Sequence, residues 1–143
     1  MVIQVCITPD YSKKMKKGCS RSCNMEYLHK KLIVWQKSMQ LANCVYDVTE
    51  TYPSKENFNL VDQMRRAAVS IPSNIAEGRA RSSDKDFIRF LLIARGSCAE
   101  LDTQILLSEA RGYLTKEKRD KVCSLCIEVS RCLTGLIESL KQK

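Results

Sequence analysis

The sequence predicts an all-α protein, more specifically an antiparallel up-down-up-down four-helix bundle. Four stretches place apolar residues at alternating steps of four and three, the spacing of one helix face packed against neighbouring helices. The connections between these stretches are short, so helices adjacent in sequence are expected to run in opposite directions. A length of 143 residues with five Gly and three Pro suits one helical domain, which we assign to residues 25–143.

The first helix is predicted from about Leu28 to Thr51. Its apolar face consists of Leu28, Leu32, Trp35, Met39, Ala42, Tyr46 and Thr49. Pro53 should end this helix, because the residue before a proline avoids helical backbone angles.

The second helix is predicted from about Asn57 to Glu77, and Gly78 is expected to follow it in the left-handed conformation that ends many helices. Its apolar face consists of Leu60, Met64, Ala67, Ile71 and Ile75. Pro72 lies inside this span, where it removes one backbone donor and its ring clashes with the carbonyl of Ala68. We therefore expect a kink at Pro72 or a break into two pieces.

The last two helices have recognisable ends. The third should begin after Ser82 or Ser83, because Ser83 with Asp86 resembles a capping box, and Gly112 should close it. Thr115 can cap the fourth helix. The third face consists of Phe87, Leu91, Ala94, Cys98, Leu101 and Ile105. The fourth consists of Val122, Cys126, Val129, Leu133, Leu136 and Leu140.

Residues 70–78 form a run of small and polar residues around the predicted kink. A ligand site there is one interpretation, with Ser73, Asn74 and Glu77 as the polar groups. We favour a structural role, in which Pro72 bends the helix and small residues allow close approach of a neighbour. Asn74 is then expected to hydrogen-bond the carbonyl groups that Pro72 leaves without a donor.

The helices carry more apolar residues than one bundle needs, since a helix in a bundle buries a stripe and not most of its circumference. The surplus consists of Ile33, Val34, Val45, Val61, Val69, Phe90, Leu92, Ile93, Leu106, Leu107, Leu125 and Ile137. It indicates self-association or a partner protein. The alternative is ordinary surface exposure of scattered apolar groups.

The positive charge is concentrated near the N-terminus. The chain has 24 Lys and Arg against 16 Asp and Glu, a formal charge of +8. Residues 1–24 contribute half of it, because five basic residues there face only Asp10. We predict a disordered basic extension for residues 1–24; the alternative is a nucleic-acid-binding arm.

The eight cysteines are predicted to be reduced. Four of them fall where a helical core needs small apolar residues: Cys44, Cys98, Cys126 and Cys132. The apolar run at residues 1–7 precedes the nearby lysines, which is not the order of a secretory signal. No stretch approaches the ~20 apolar residues of a membrane span. The predicted compartment is the reducing cytoplasm.

Catalytic and metal chemistry have few residues to use. His29 is the only histidine, so a Cys–His or Ser–His site would depend on it alone. We predict no enzyme and no cofactor. Cys123 and Cys126 form a C-x-x-C motif, but a helix would bury Cys126 and leave Cys123 on a flank. Zinc usually takes four ligands, so we predict no metal site. A zinc or redox sensor is kept as a third hypothesis, after RNA binding and a protein-interaction scaffold.

A basic surface is the main candidate site. Its residues are Arg65, Arg66, Arg79, Arg81, Lys85, Arg89 and Arg95. Arg81, Lys85 and Arg89 step by four and could share one helix face. Guanidinium groups suit phosphates because their planar fork can bind two oxygens. The alternative is a solvated face with ion pairs to Asp62, Glu77, Asp84 and Asp86.

A family resemblance covers roughly residues 28–140. Its most specific segment is Ser-Ile-Pro-Ser-Asn-Ile-Ala-Glu-Gly at 70–78, with Leu-Ile-Val-Trp-Gln-Lys-Ser at 32–38 and Gln-Met-Arg-Arg-Ala-Ala at 63–68. Shorter matches are Phe87 with Phe90-Leu91, and Ala94-Arg95-Gly96-Ser97 with Glu100-Leu101. These segments resemble bacterial four-helix-bundle proteins encoded in 23S rRNA intervening sequences, a group related to the accessory variability proteins of diversity-generating retroelements.

The resemblance implies a homopentameric barrel and, for the retroelement relatives, binding to nucleic acid and to a reverse transcriptase. The leading hypothesis is a homo-oligomeric bundle that binds RNA or a ribonucleoprotein through its basic surface. Structured RNA recognised by its shape is favoured over a single strand bound by base stacking, because Trp35, Tyr46 and Phe87 lie on predicted core faces. The rival hypothesis is a protein–protein interaction scaffold that binds no nucleic acid.

Overall fold

The computed structural model describes residues 28–142. These residues contain no strand and form four α-helices: α1 Ile33–Thr49, α2 Leu60–Ala80, α3 Asp84–Ala110 and α4 Lys116–Lys141. Short 3-10 helices at Leu28–Lys31 and Ser54–Glu56 precede α1 and α2. The all-α prediction is confirmed for this part of the chain, whereas the predicted extension at residues 1–24 lies outside the described residues.

The four helices enclose one hydrophobic core. Helix α1 packs against α2 and α4, and α3 packs against the same two helices. Leu41, Ile71, Leu101 and Leu133 contribute fully buried side chains from the four helices in turn. Each such burial stabilises the fold by about 1.5–3 kcal/mol. No helix within residues 28–142 is long and apolar enough to cross a membrane.

The predicted core faces of α2 and α3 are confirmed at every position. In α4 the predicted face is buried as far as Leu133, but Ile137 then enters the core while Leu136 and Leu140 stay half-buried. The physical reason is that a straight helix has 3.6 residues per turn and drifts away from a strict 3.5-residue repeat.

The predicted core face of α1 is wrong by about one position. Its most buried stripe consists of Val34, Ser38, Leu41, Val45 and Val48. Trp35, Ala42 and Thr49 of the predicted face are also buried, but Leu28 and Tyr46 are 49% and 42% exposed. Helix α1 carries two adjacent apolar stripes, and steps of four and three fit both.

The predicted helix ends of α3 and α4 are confirmed. The Asp86 N–H donates to Ser83 Oγ at 3.1 Å, and the Ser83 hydroxyl donates to the Asp86 carboxylate at 2.8 Å. Gly112, with φ +72°, closes α3 in the left-handed conformation. Thr115 Oγ1 accepts from the Lys118 N–H at 3.4 Å. These bonds satisfy backbone groups that a helix end leaves without partners.

Helix α2 continues through Pro72, so the predicted break does not occur and the kink stays a prediction. Gly78 lies inside the helix, which ends at Ala80, so its predicted role as a helix-ending residue is wrong. A Cβ atom at Gly78 would lie 2.6 Å from Phe90 Cβ and 2.9 Å from Phe87 Cδ2. Glycine is required there because α3 approaches the backbone of α2.

Polar contacts also join α2 to α3. Asn74 Nδ2 donates to the carbonyl of Ser70 at 2.8 Å and to its hydroxyl at 3.0 Å. Ser70 Oγ lies 2.9 Å from Ser97 Oγ on α3. The predicted bond from Asn74 to a carbonyl freed by Pro72 is therefore wrong, because Pro72 frees the carbonyl of Ala68. Asn74 instead orients Ser70 toward α3.

The α1–α2 connection contacts the α3–α4 connection. The Tyr113 hydroxyl donates to the Glu56 carboxylate at 3.0 Å. The rings of Tyr52 and Tyr113 lie 5.5 Å apart between centroids. Burial of Tyr52 raises the pKa of its hydroxyl, because the buried environment disfavours the phenolate. The α2–α3 connection has no part in these contacts.

Candidate nucleic-acid interface

The seven predicted basic residues fall into three groups. Four of them surround the α2–α3 connection and are called the basic turn here: Arg79, Arg81, Lys85 and Arg89. Arg65 and Arg66 lie near the start of α2, about 20 Å along the helix axis from the basic turn at 1.5 Å per residue. Arg95 lies further along α3. The sequence therefore predicts the residues but not their separation.

Aromatic rings orient the guanidinium groups of the basic turn. Arg79 Cζ lies 5.9 Å from the ring centroid of Phe87. Arg81 and Arg89 lie 5.2 Å and 4.9 Å from the ring centroid of Phe90. Each cation–π contact at an exposed site contributes about 0.5–1 kcal/mol. Both rings are buried and lie close to Gly78 of α2. The three guanidinium groups therefore contact rings whose positions are fixed by packing.

Arg81 reaches this site by a different route from the predicted one. It could share the α3 face with Lys85 and Arg89 only if that helix began early enough, but α3 begins at Asp84. Arg81 instead caps the C-terminus of α2 in an extended conformation, with φ −76° and ψ 153°. The side chains of Arg81 and Arg89 both contact the ring of Phe90.

Ion pairs neutralise only part of the predicted surface. Arg81 pairs with Glu77, and Arg66 pairs with Asp62 at 3.2 Å. Both pairs are exposed and contribute little to stability. Among the described residues, no carboxylate lies within 4.0 Å of Arg79, Lys85 or Arg89. Residues 77–89 carry four cations and three carboxylates, Glu77, Asp84 and Asp86, a net charge of +1, and three of the four cations are free to contact an anion.

Arg65 and Arg95 lie in other surroundings. Arg65 Nε donates to Thr49 Oγ1 at 2.9 Å, and its guanidinium lies 4.7 Å from the ring centroid of Tyr46. These contacts join α2 to α1, which is a structural role. Arg95 lines a groove between α3 and α4.

Sequence reasoning missed one exposed aromatic residue and misplaced another. Phe58, just before α2, is 94% exposed, and Tyr46 is 42% exposed although it lies on the predicted face of α1. The argument against base stacking therefore holds only for Trp35 and Phe87, which are buried. The sequence did contain a signal for its exposure, because Phe58 belongs to none of the four predicted apolar faces.

Two apolar grooves open on different helix pairs. The α1–α2 groove is lined mainly by Trp35, Met39, Tyr46, Val69, Pro72 and Ala76. The α3–α4 groove has a volume of about 610 Å³ and is lined in part by Leu92, Gly96, Ala99 and Ile127. Of the predicted apolar surplus, five residues join the core, namely Val34, Val45, Val61, Phe90 and Ile137. Five others are exposed, namely Val69, Leu92, Ile93, Leu106 and Leu107.

The cysteines follow the predicted pattern closely. Cys44, Cys98 and Cys126 are buried, whereas Cys132 is half-buried, and all are free thiols. Cys126 lies in the core and Cys123 on its flank, as the C-x-x-C spacing on a helix predicts. No three His, Cys, Asp or Glu side chains within residues 28–142 are grouped as metal ligands.

Four helices around one core define a small helical-bundle protein, and three guanidinium groups at its α2–α3 connection contact aromatic rings. The family model of the 23S rRNA-intervening sequence protein matches residues 30–135, and the chain belongs to this family. The prediction of that family is thereby confirmed, whereas the relation to retroelement accessory proteins stays a prediction.

A solved structure supports the same fold. The protein is described as one of unknown function from the S23 ribosomal protein family of Bacteroides thetaiotaomicron. It is 25% identical to this chain, with a TM-score of 0.69, and the match covers 74% of this chain and 96% of the other. The chain matches no curated protein.

Proposed function

We propose that the chain is a non-enzymatic, cytoplasmic, homo-oligomeric four-helix bundle that binds structured RNA or a ribonucleoprotein through the basic turn. The observation that carries this proposal is the placement of three guanidinium groups over Phe87 and Phe90 at one connection. Phosphate oxygens are the natural partners of such groups, and the family is named for the intervening sequences of 23S rRNA.

An antiparallel order of the helices is part of the proposal. Met64 near the start of α2 contacts Ser108 near the end of α3, at 3.3 Å. Further along α2, Ser70 contacts Ser97. The residue numbers of the partners on α3 therefore decrease as those on α2 increase, as in an antiparallel pair. The contact between the first and third connections fits the same up-down-up-down order. The basic turn then lies at the opposite end of the bundle from these two connections.

Assembly is proposed to use the two apolar grooves. Because they lie on different helix pairs and differ in lining, the α1–α2 groove of one copy would bind the α3–α4 groove of the next. Such a head-to-tail interface closes into a ring when the rotation between copies permits. The resemblance noted above implies five copies. A ring repeats the basic turn, so several weak phosphate contacts act together.

The binding proposal is tested by titrating the chain against an RNA hairpin at several salt concentrations. Arg79→Glu/Arg89→Glu should weaken binding about tenfold and reduce the slope of log affinity against log salt by about 2. Lys116→Glu/Lys118→Glu is the matched control, because it makes the same charge change at the start of α4. Equal losses in both variants, or affinity insensitive to salt, would contradict the proposal.

A scaffold that binds other proteins and no RNA is the second candidate. Phe58, which is 94% exposed, and the two apolar grooves favour it. A partner of the reverse-transcriptase class would fall under this candidate. The two functions separate in the same titration, because a scaffold would assemble normally while showing no salt-sensitive affinity for RNA.

A further inference from the structure

Glu77 is a carboxylate that contacts the basic turn directly. It lies four residues before Arg81, and the two side chains form an ion pair in which both are about half exposed. Ser70, Asn74 and Gly78, in the same run of α2, serve the contact with α3. The Glu77 carboxylate instead contacts the guanidinium group of Arg81.

The guanidinium group of Arg81 therefore has two neighbours with opposite effects on anion binding. Its Cζ atom lies 5.2 Å from the ring centroid of Phe90, and the ring attracts the cation without carrying a negative charge of its own. The Glu77 carboxylate accepts a hydrogen bond from the guanidinium group, as a phosphate oxygen would. Phe90 thus holds Arg81 ready for a phosphate, whereas Glu77 occupies a donor that the phosphate needs.

The other three cations of the basic turn have no such partner. Among the described residues, no carboxylate lies within 4.0 Å of them. The Asp86 carboxylate is engaged at the start of α3, where it accepts from the Ser83 hydroxyl at 2.8 Å. Within the basic turn, an ion pair neutralises Arg81, and Glu77 is the residue that controls its charge.

We propose that Glu77 is an autoinhibitory group that competes with RNA phosphates for Arg81, an inference that rests on the proposed function. A phosphate of the RNA backbone and a carboxylate both present two oxygens to the planar fork of a guanidinium group. RNA therefore gains a contact with Arg81 only when it displaces Glu77. The ion pair keeps the affinity of the basic turn below the value that its four cations would otherwise give.

The competition is tested by titrating Glu77→Gln with the RNA hairpin at several salt concentrations. The affinity should rise about twofold to fivefold, the equilibrium equivalent of one exposed ion pair, and the salt slope should steepen by about 1. Asp62→Asn is the matched control, because it removes a carboxylate from an exposed ion pair with Arg66, four residues further along α2. Its RNA affinity should stay close to that of the native chain, because this pair lies away from the basic turn.

A double-mutant cycle shows whether Glu77 acts through Arg81. In the Arg81→Ala chain, Glu77→Gln should change the RNA affinity by less than about twofold, because the cycle isolates the pairwise effect. An undiminished gain there would overturn the competition, since Glu77 would then repel RNA directly. Equal gains in Glu77→Gln and Asp62→Asn, or no gain in either, would overturn it while RNA binding by the native chain stands. A native chain without salt-sensitive RNA affinity would overturn the proposed function, and the competition with it.

Discussion

Gly78 illustrates how a single residue fixes the α2–α3 interface. The sequence identifies it as a glycine with a special role, but glycine offers two properties: backbone freedom and the lack of a Cβ atom. The prediction relied on the first property, whereas the structure uses the second. Only the position of Phe90, 2.6 Å from a hypothetical Cβ, distinguishes them. That position is a tertiary fact with no signal in the local sequence.

Gly78→Ala is expected to destabilise the fold by about 1–3 kcal/mol, because a methyl group there forces the Phe90 backbone away. Gly135→Ala is the matched control, since a Cβ at this position in α4 meets nothing within 4 Å. The control should gain about 0.5–1 kcal/mol from the helix propensity of alanine. Urea denaturation measures both, and a stabilising effect of Gly78→Ala would refute the close approach.

At the scale of helices, the periodicity of the sequence predicts which face of α2 and of α3 is buried. In α3 the prediction holds although further apolar residues, among them Leu92 and Leu107, lie outside that face and are exposed. Helix α1 has two adjacent stripes, and nothing in its own sequence says which one faces the core. The choice depends on α2 and α4, which the periodicity of α1 does not describe.

The basic turn was also predicted only in part. Its residue types could be read from the sequence, because a cluster of arginines predicts an anion-binding surface. Its geometry could not, since Arg81 lies outside α3 and shares with Arg89 only its contact with the ring of Phe90. The distance between Arg65 and the basic turn follows from the unbroken length of α2, which the expected break at Pro72 obscured.

Ser83→Ala should shorten or fray the start of α3, because Ser83 accepts from the Asp86 N–H and donates to its carboxylate. Loss of such a cap costs about 1 kcal/mol. The expected result is a lower urea midpoint with an unchanged slope. Ser82→Ala, one residue earlier and outside the capping box, should leave the midpoint nearly unchanged. Equal shifts in the two variants would show that the box contributes nothing.

At the scale of the whole molecule, the account depends on what covers the two grooves. Leu92 and Ile127, on either side of the α3–α4 groove, are 40% and 49% exposed. Tyr46 and Val69 are each 42% exposed in the α1–α2 groove. An isolated chain would leave both apolar surfaces in water. The proposed pairing of unlike grooves between copies would remove them from water and would place several basic turns on one particle.

The mass of the chain in solution, measured by light scattering, tests this assembly most directly. The expected mass is about five times the 16.3 kDa of one chain. Leu92→Glu/Ile127→Glu should lower the mass toward one copy while preserving the helical spectrum, because both side chains are largely outside the core. Leu107→Glu, a control of similar exposure, should leave it unchanged. A native chain that scatters as a 16.3 kDa monomer at micromolar concentrations would contradict the account.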